Sequence, residues 1–322
     1  MYGNSKIVIL DAETMGADLD FSPLERFGEV VVYPYTDSGL LARRIVDADI
    51  IIVNKIKLNR DNLKGAKRLK LICLTATGYD NIDINYCWQM EIGVCNVKGY
   101  STESVAQVTM LMALELLTNL SEYRTTVSSG RYTRGESPLC TAPVFHEIAG
   151  LTWGVVGYGA IGQRVAQLAA AFGCDVLVYS RHIHRECTFD QVTMDELCMK
   201  SDIISLHVPL NDSTKKMVNA RRLRLMKNSA ILINVARGDV IDELAACDAV
   251  VRGEIGALAS DVYSTEPMTV TSPYNAVTMQ SNVILTPHMA WAAYESRVRC
   301  IKEVEKNIET FIMGGVRNRV DL

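Results

Sequence analysis

The 322-residue chain has few aromatic side chains, no excess of basic charge and no long apolar run, and each shortage excludes something. Phe, Trp and Tyr make up only 7% of the residues, while aliphatic residues abound, the balance expected where helices cover both faces of a parallel sheet. Lys and Arg number 33 against 37 Asp and Glu, a net charge of −4, so no overall basic field invites nucleic acid or an anionic membrane. The nine cysteines (Cys73, Cys87, Cys95, Cys140, Cys174, Cys187, Cys198, Cys247 and Cys300) are odd in number, scattered and free of any C-x-x-C pair. They suggest neither a disulfide framework nor a zinc site, and a reducing compartment fits them best. Val105 to Leu120 is the longest apolar stretch, but it carries Gln107, Glu115 and Asn119 and is too short and polar to span a bilayer. It reads as a buried helix. The first residues lack a signal peptide's apolar core, so the expected location is the cytoplasm.

What is present is a rhythm. Short apolar runs at Lys6 to Leu10, Val30 to Val32, Ile50 to Val53, Leu69 to Leu74 and Gly93 to Asn96 alternate with helical segments such as Leu40 to Val46. The alternation restarts at Leu151, with strands expected at Thr152 to Val156, Asp175 to Tyr179, Asp202 to His207, Ala230 to Ala236, Ile255 to Val262 and Val283 to Thr286. This pattern predicts an α/β protein of two domains, each with a parallel sheet. Ala290 to Met313 reads as a long amphipathic helix that Gly314-Gly315 stops, although periodicity does not say which domain it joins.

Gly157-Tyr158-Gly159-Ala160-Ile161-Gly162 matches G-x-G-x-x-G between an apolar strand and a helix. In that context the glycines serve a tight turn, close approach to a pyrophosphate, and helix–strand contact. The helix N-terminus then offers free amides to the phosphates. The next strand ends in Ser180-Arg181-His182, with no acidic residue to hold a ribose 2′-hydroxyl or repel a 2′-phosphate. Arg181 suits a 2′-phosphate, which favours NADP(H) over NAD(H).

Three further strand ends carry charge: Asn234-Val235-Ala236-Arg237-Gly238-Asp239-Val240-Ile241-Asp242, Asp261 to Pro267, and Thr286-Pro287-His288-Met289-Ala290. The chemistry of Arg237, Glu266 and His288 is complementary. An Arg fork matches a carboxylate, a His exchanges a proton with a carbonyl or hydroxyl oxygen, and a carboxylate on the other ring nitrogen fixes the tautomer and favours the protonated ring. Singly, each residue has an ordinary structural explanation. In order after a dinucleotide turn, the functional reading outweighs the ordinary ones: hydride transfer at a carbon whose oxygen exchanges a proton with His288, on a substrate with a carboxylate for Arg237.

With these motifs the chain resembles the D-isomer-specific 2-hydroxyacid dehydrogenase family over essentially its whole length. The resemblance implies a Rossmann cofactor domain, residues 101–289, inserted in a flavodoxin-like substrate domain of residues 1–100 and 290–322, with hinges near Gly99 and Ala290. It implies that Arg237 anchors the substrate, that His288 is the general acid/base with Glu266 as its partner, and that the amides of Thr77 and Gly78 cradle the carboxylate. It also implies that Asp261 meets the nicotinamide carboxamide and that Val208, Pro209, Thr214, Val235 and Ala236 line the cofactor. A homodimer is implied, with the Val105–Leu120 helix and a Thr133–Glu147 arm contributing. No metal is implied.

Glu266 speaks against the formate dehydrogenase branch, where glutamine stands at that position. Pro287-His288-Met289-Ala290-Trp291 and Asn96 to Thr102 resemble the glycerate dehydrogenase (hydroxypyruvate reductase) group. Val108 and Lys98 depart from it, since those relatives often have His and Pro there. Hydroxypyruvate or glyoxylate is therefore the expected substrate. D-lactate- and phosphoglycerate-type activities stand behind it, the latter disfavoured because no regulatory domain follows before Leu322. A non-catalytic dinucleotide sensor like the C-terminal binding protein corepressors is the reading from another class.

Overall fold

The computed structural model describes residues 5–136 and 142–322. Two compact units divide the chain: one runs up to Ser101 and resumes over Ala292–Leu322, and the other is Thr102–Trp291.

The first unit is built on five strands, β1 (Ser5–Ile9), β2 (Gly28–Val32), β3 (Ile50–Val53), β4 (Leu71–Leu74) and β5 (Gly93–Cys95). All pairings are parallel, and the spatial order is β2-β1-β3-β4-β5. Every residue of β3, β4 and β5 is buried, which explains why these strands read as unbroken apolar runs without alternation. Helix α1 (Ser38–Ile45) buries Leu41 and Ile45, and the short helices α2 (Arg60–Leu63) and α3 (Ile84–Gln89) start on the side-chain caps Asn59 and Asp83. The amphipathic C-terminal segment forms a helix over Tyr294–Ile312 that belongs to this unit, burying Cys300, Ile301, Val304 and Ile308. Its Asn307 Nδ2 donates to the carbonyl of Asn96 just past β5 (2.9 Å).

The sheet order changes direction between β1 and β3, where loops leaving an open sheet diverge and leave a crevice. Asp11, just past β1, is 3% exposed. Its carboxylate accepts the amides of Asn54 (2.9 Å), Lys55 (2.7 Å) and Ile56 (3.3 Å), so it gathers the exit loop of β3 onto the end of β1.

The second unit opens with α4 (Thr102–Thr118) and α5 (Leu120–Ser128). The continuous helix expected to Leu120 stops at Thr118 because Asn119 takes a left-handed conformation (φ 50°), and Leu120 starts a new, exposed helix. Seven strands follow: β6 (Thr152–Val156), β7 (Asp175–Tyr179), β8 (Asp190–Gln191), β9 (Ile203–Leu206), β10 (Ile231–Asn234), β11 (Ala257–Ser260) and β12 (Val283–Leu285). They form one parallel sheet in the order β12-β11-β10-β9-β6-β7-β8. Helices α6 (Ala160–Ala171), α7 (Met194–Lys200), α8 (Ala220–Leu223) and α9 (Glu243–Val251) connect them. Strand β8 is two exposed residues on the sheet edge, too short to leave a hydrophobic signal. The order reverses between β6 and β9, the crossover at which dinucleotides bind in Rossmann sheets. No helix among the described residues is long and apolar enough to cross a membrane.

Candidate active site

The glycine turn leaves β6 at the reversal point. Gly157 has φ +98°, and a Cβ there would lie 2.7 Å from the carbonyl of His207, so a side chain is excluded both by conformation and by space. A Cβ on Gly162 would sit 1.9 Å from the Gly157 carbonyl, which keeps α6 tight against the turn. Gly159 faces open space, and no side chain caps the N-terminus of α6. The result is a bare set of helix-end amides beside a clear volume, a fit for a pyrophosphate.

A cavity of about 280 Å³ adjoins this turn. Of the residues expected to bind cofactor, Gly157, Tyr158, Gly159, Ser180, Arg181, Val208, Pro209 and Thr214 line it. Ala160, Ile161 and Gly162 form the first turn of α6, and Val235, Ala236 and Asp261 lie off the cavity at other strand ends. No carboxylate lines the cavity, while Arg181, His182 and His184 do. Thr214 is buried, and its hydroxyl donates to the carbonyl of Pro209 (2.6 Å) while accepting the amide of Asn211 (2.9 Å), so it shapes the loop after β9.

The sequence reading missed several lining groups. His184 pairs with the Ser180 hydroxyl through Nε2 (3.0 Å), packs edge-on to Tyr158, and is clamped through its backbone by the Gln191 amide (2.9 Å each way). His207 Nε2 meets the Ser205 hydroxyl (2.9 Å), which also accepts Trp153 Nε1–H. Neither histidine lies in a recognisable motif; only the fold brings them to the dinucleotide turn.

Past β10, the side chain of buried Asn234 staples its own loop by accepting the Ala236 amide (3.0 Å) and donating to the Arg237 carbonyl (2.9 Å). This presents Arg237, half-buried, with one guanidinium N–H on the Ala236 carbonyl (2.8 Å) and no carboxylate among the described residues to neutralise it. An unneutralised Arg fork is an anion site.

Glu266 and His288 come together directly, Oε2 to Nδ1, at 2.5 Å. The other carboxylate oxygen accepts the Tyr263 amide (3.1 Å), so both oxygens are oriented. His288 Nε2 has no protein partner among the described residues, an arrangement chemically able to exchange a proton with a ligand oxygen. His288 itself has φ +53°, an unfavourable backbone for a side chain of its kind. Asp261 holds it there. Only 1% exposed, Asp261 accepts the Thr286 hydroxyl (2.6 Å), the Met289 amide (2.8 Å) and the Ala290 amide (2.8 Å), fixing the loop on both sides of the histidine. This clamp is a function of Asp261 that the sequence did not disclose.

Thr77 and Gly78 lie in the first unit, past β4. The Thr77 hydroxyl donates to the Val97 carbonyl (2.7 Å), and Asn96 Nδ2 donates to the Thr77 carbonyl (2.7 Å). The amides of Thr77 and Gly78 make no hydrogen bond within the described residues, so two adjacent donors remain for a ligand.

Comparison with known proteins identifies the family. Residues 110–290 match the sequence profile described as "D-isomer specific 2-hydroxyacid dehydrogenase, NAD binding domain". A hydroxypyruvate reductase of Blautia hydrogenotrophica is 34% identical over 98% of this chain and 99% of its own length. Among solved structures, the D-lactate dehydrogenase of Aquifex aeolicus, complexed with NAD and lactic acid, superposes with a TM-score of 0.86 at 30% identity, over 98% of this chain and 99% of that one. The NADPH-dependent glyoxylate/hydroxypyruvate reductase of Sinorhizobium meliloti, in complex with NADP and malonate, superposes with a TM-score of 0.85 at 26% identity, over 98% and 97%. With a profile covering more than half of it and a relative matched nearly end to end, the chain belongs to the D-isomer-specific 2-hydroxyacid dehydrogenase family.

Proposed function

We propose that the protein reduces a small 2-keto acid, hydroxypyruvate or glyoxylate, to the D-2-hydroxy acid with a reduced nicotinamide dinucleotide. The observation that carries this is the oriented Glu266–His288 pair, whose remaining ring nitrogen is unpartnered, in the same unit as the uncapped dinucleotide turn. Bound at Gly157 to Gly162, the dinucleotide supplies the hydride. His288 gives its Nε2 proton to the carbonyl oxygen as the carbon is reduced, and takes it back in the reverse direction. Glu266 holds the ring in the tautomer that presents Nε2. Arg237 receives the substrate carboxylate, with the amides of Thr77 and Gly78 as further donors to it. Asp261, with acceptor capacity left on its second oxygen, meets the nicotinamide carboxamide, and Val208, Pro209, Thr214, Val235 and Ala236 complete the cofactor's surroundings.

NADP(H) is the favoured dinucleotide, because Arg181 lines the cavity and no carboxylate does. The S. meliloti relative is NADPH-dependent by name, and the Blautia relative carries the hydroxypyruvate reductase activity in its name. The exposed apolar residues Leu111, Leu120 and Val127 on α4 and α5, followed by Val144 and Phe145, support a homodimer through that face; residues 137–141 of the expected arm lie outside the described residues. The described cysteines are free and all but Cys187 are buried, which suits a reducing, cytoplasmic setting.

The test is loss of reduced-nicotinamide absorbance with hydroxypyruvate, glyoxylate and pyruvate, each offered NADPH and NADH. Rapid oxidation with hydroxypyruvate or glyoxylate is expected. Turnover confined to pyruvate would move the protein to the D-lactate type, and silence throughout would remove the enzymatic reading. Arg181→Asp should lower the NADPH/NADH ratio of kcat/KM by about tenfold or more, and an unchanged ratio would discard the 2′-phosphate argument.

A further inference from the structure

Glu243 is the first residue of α9, one past the motif that carries Arg237, and it is buried. A carboxylate in that place is costly unless its oxygens are satisfied. Here Oε1 accepts the backbone amide of Ser264 (2.6 Å) and Oε2 accepts the Ser264 hydroxyl (2.8 Å). Ser264 lies two residues before Glu266, in the loop past β11. The same loop is tied by the Tyr263 hydroxyl, which donates to the Thr286 carbonyl (2.9 Å) in the segment leading to His288. It is also pressed against the Arg237 segment: a Cβ on Gly238 would lie 2.0 Å from the Tyr263 carbonyl carbon and 2.1 Å from the Ser264 nitrogen. The loop bearing Glu266 is thus wedged among three segments, and Glu243 grips it through both atoms that Ser264 offers.

We propose that Glu243 is a positioning residue for the reaction: its two-point hold on Ser264 sets the Glu266 carboxylate on His288 Nδ1, and it ties that placement to the Arg237 segment through α9. The inference rests on the acid/base reading of His288. The hydrogen bonds of the Glu243 carboxylate go to Ser264, so its effect passes through the loop. A displacement of that loop leaves the helix-end amides and the cavity of the dinucleotide turn intact, and it degrades proton transfer rather than cofactor affinity.

The experiment compares Glu243→Asp, Glu243→Gln and Glu243→Ala with Glu266→Gln and His288→Asn in the full chain, using hydroxypyruvate and NADPH. Asp keeps the charge but is one methylene too short for both contacts. Gln loses the charge but still accepts the Ser264 amide and can donate to its hydroxyl. Glu243→Asp should lower kcat about tenfold, with KM for the keto acid and Kd for NADPH within about twofold of the native protein. Glu243→Gln should retain kcat to within about threefold. The low-field proton resonance of the Glu266–His288 hydrogen bond should persist in Glu243→Gln and vanish in Glu243→Asp and Glu266→Gln. Glu243→Ala should follow Glu243→Asp, and if it does not fold, the Asp and Gln variants decide the matter. Native kcat and an intact resonance in Glu243→Asp, with His288→Asn inactive, would overturn the positioning role and leave the acid/base reading standing. A fully active His288→Asn would instead remove the acid/base reading, and the resonance would still report whether Glu243 sets the pair.

Discussion

Each unit ends one buried strand in an aspartate that collects the exit loop of the neighbouring strand, and the two clamps are closely alike. Asp11 takes three amides from residues 54 to 56, and Asp261 takes two amides and a hydroxyl from residues 286 to 290. Both are nearly inaccessible to solvent. They differ in what the collected loop carries. In the first unit it carries Lys55 and is stapled by Asn81 Nδ2 to the segment that follows Thr77 and Gly78. In the second it carries His288, bent into a left-handed backbone and paired with Glu266. A parallel sheet thus offers one device at its carboxyl end, and under the proposed function the two clamped loops differ in what they serve: the first would support substrate binding and the second proton transfer.

The comparison predicts kinetic effects of different kinds. His288→Asn should lower kcat by about 10³-fold, the scale of a lost general acid, with NADPH affinity preserved. Asp261→Ala should lower kcat by about 10²-fold, because the histidine loop is no longer fixed on both sides. Stopped-flow reduction of hydroxypyruvate measures both. Asp11→Ala leaves the amides of Asn54, Lys55 and Ile56 without their acceptor, the first of them buried, and should lower stability by about 2 kcal/mol. Its kinetic effect should be a rise of several-fold in keto-acid KM with kcat within about twofold. If Asp11→Ala instead depressed kcat as strongly as Asp261→Ala, the two clamps would not divide binding from chemistry.

Most of the frame was legible from sequence because its signals are local. Ile50 to Val53 and Ile231 to Asn234 are continuous buried strands in sequence as in space. The turn Gly157 to Gly162 announces itself because two of its glycines have no room for a side chain. The groups that escaped notice act across distance. Asp11 reaches residues 43 to 45 positions away, Asp261 reaches 25 to 29 away, and Glu243 reaches 21 away. No spacing rule within one strand or helix encodes such contacts. The break at Asn119 was hidden for another reason: apolar periodicity continues across it, and only the backbone angle separates α4 from α5.

Acid sharpens the contrast between the units, since each holds a titratable group largely removed from water and the two respond in opposite directions. Burial pushes the His207 ring from its ordinary 6.5 down to about 3, and its Nδ1 is buried with no partner for a second ring proton. The unfolded chain therefore binds a proton that the folded chain refuses between those values. Stability from this group falls as pH drops below about 6.5, by up to about 1.4 kcal/mol per pH unit, and the loss ends near pH 3. Asp11 has the other sign: burial raises its carboxyl above the ordinary value, and the amides of Lys55, Asn54 and Ile56 offset this only in part. The folded state then takes up the proton first, so acid relieves a cost in the first unit instead of adding one. Hydrogen exchange at pH 7 and pH 5, corrected for intrinsic rates, should show β6 and β9 losing more protection than β1 and β3. His207→Gln should flatten that loss in the second unit alone. Equal losses in both units, or the same slope with His207→Gln, would mean that the acid response comes from the many surface carboxylates and that His207 is not what sets the second unit apart.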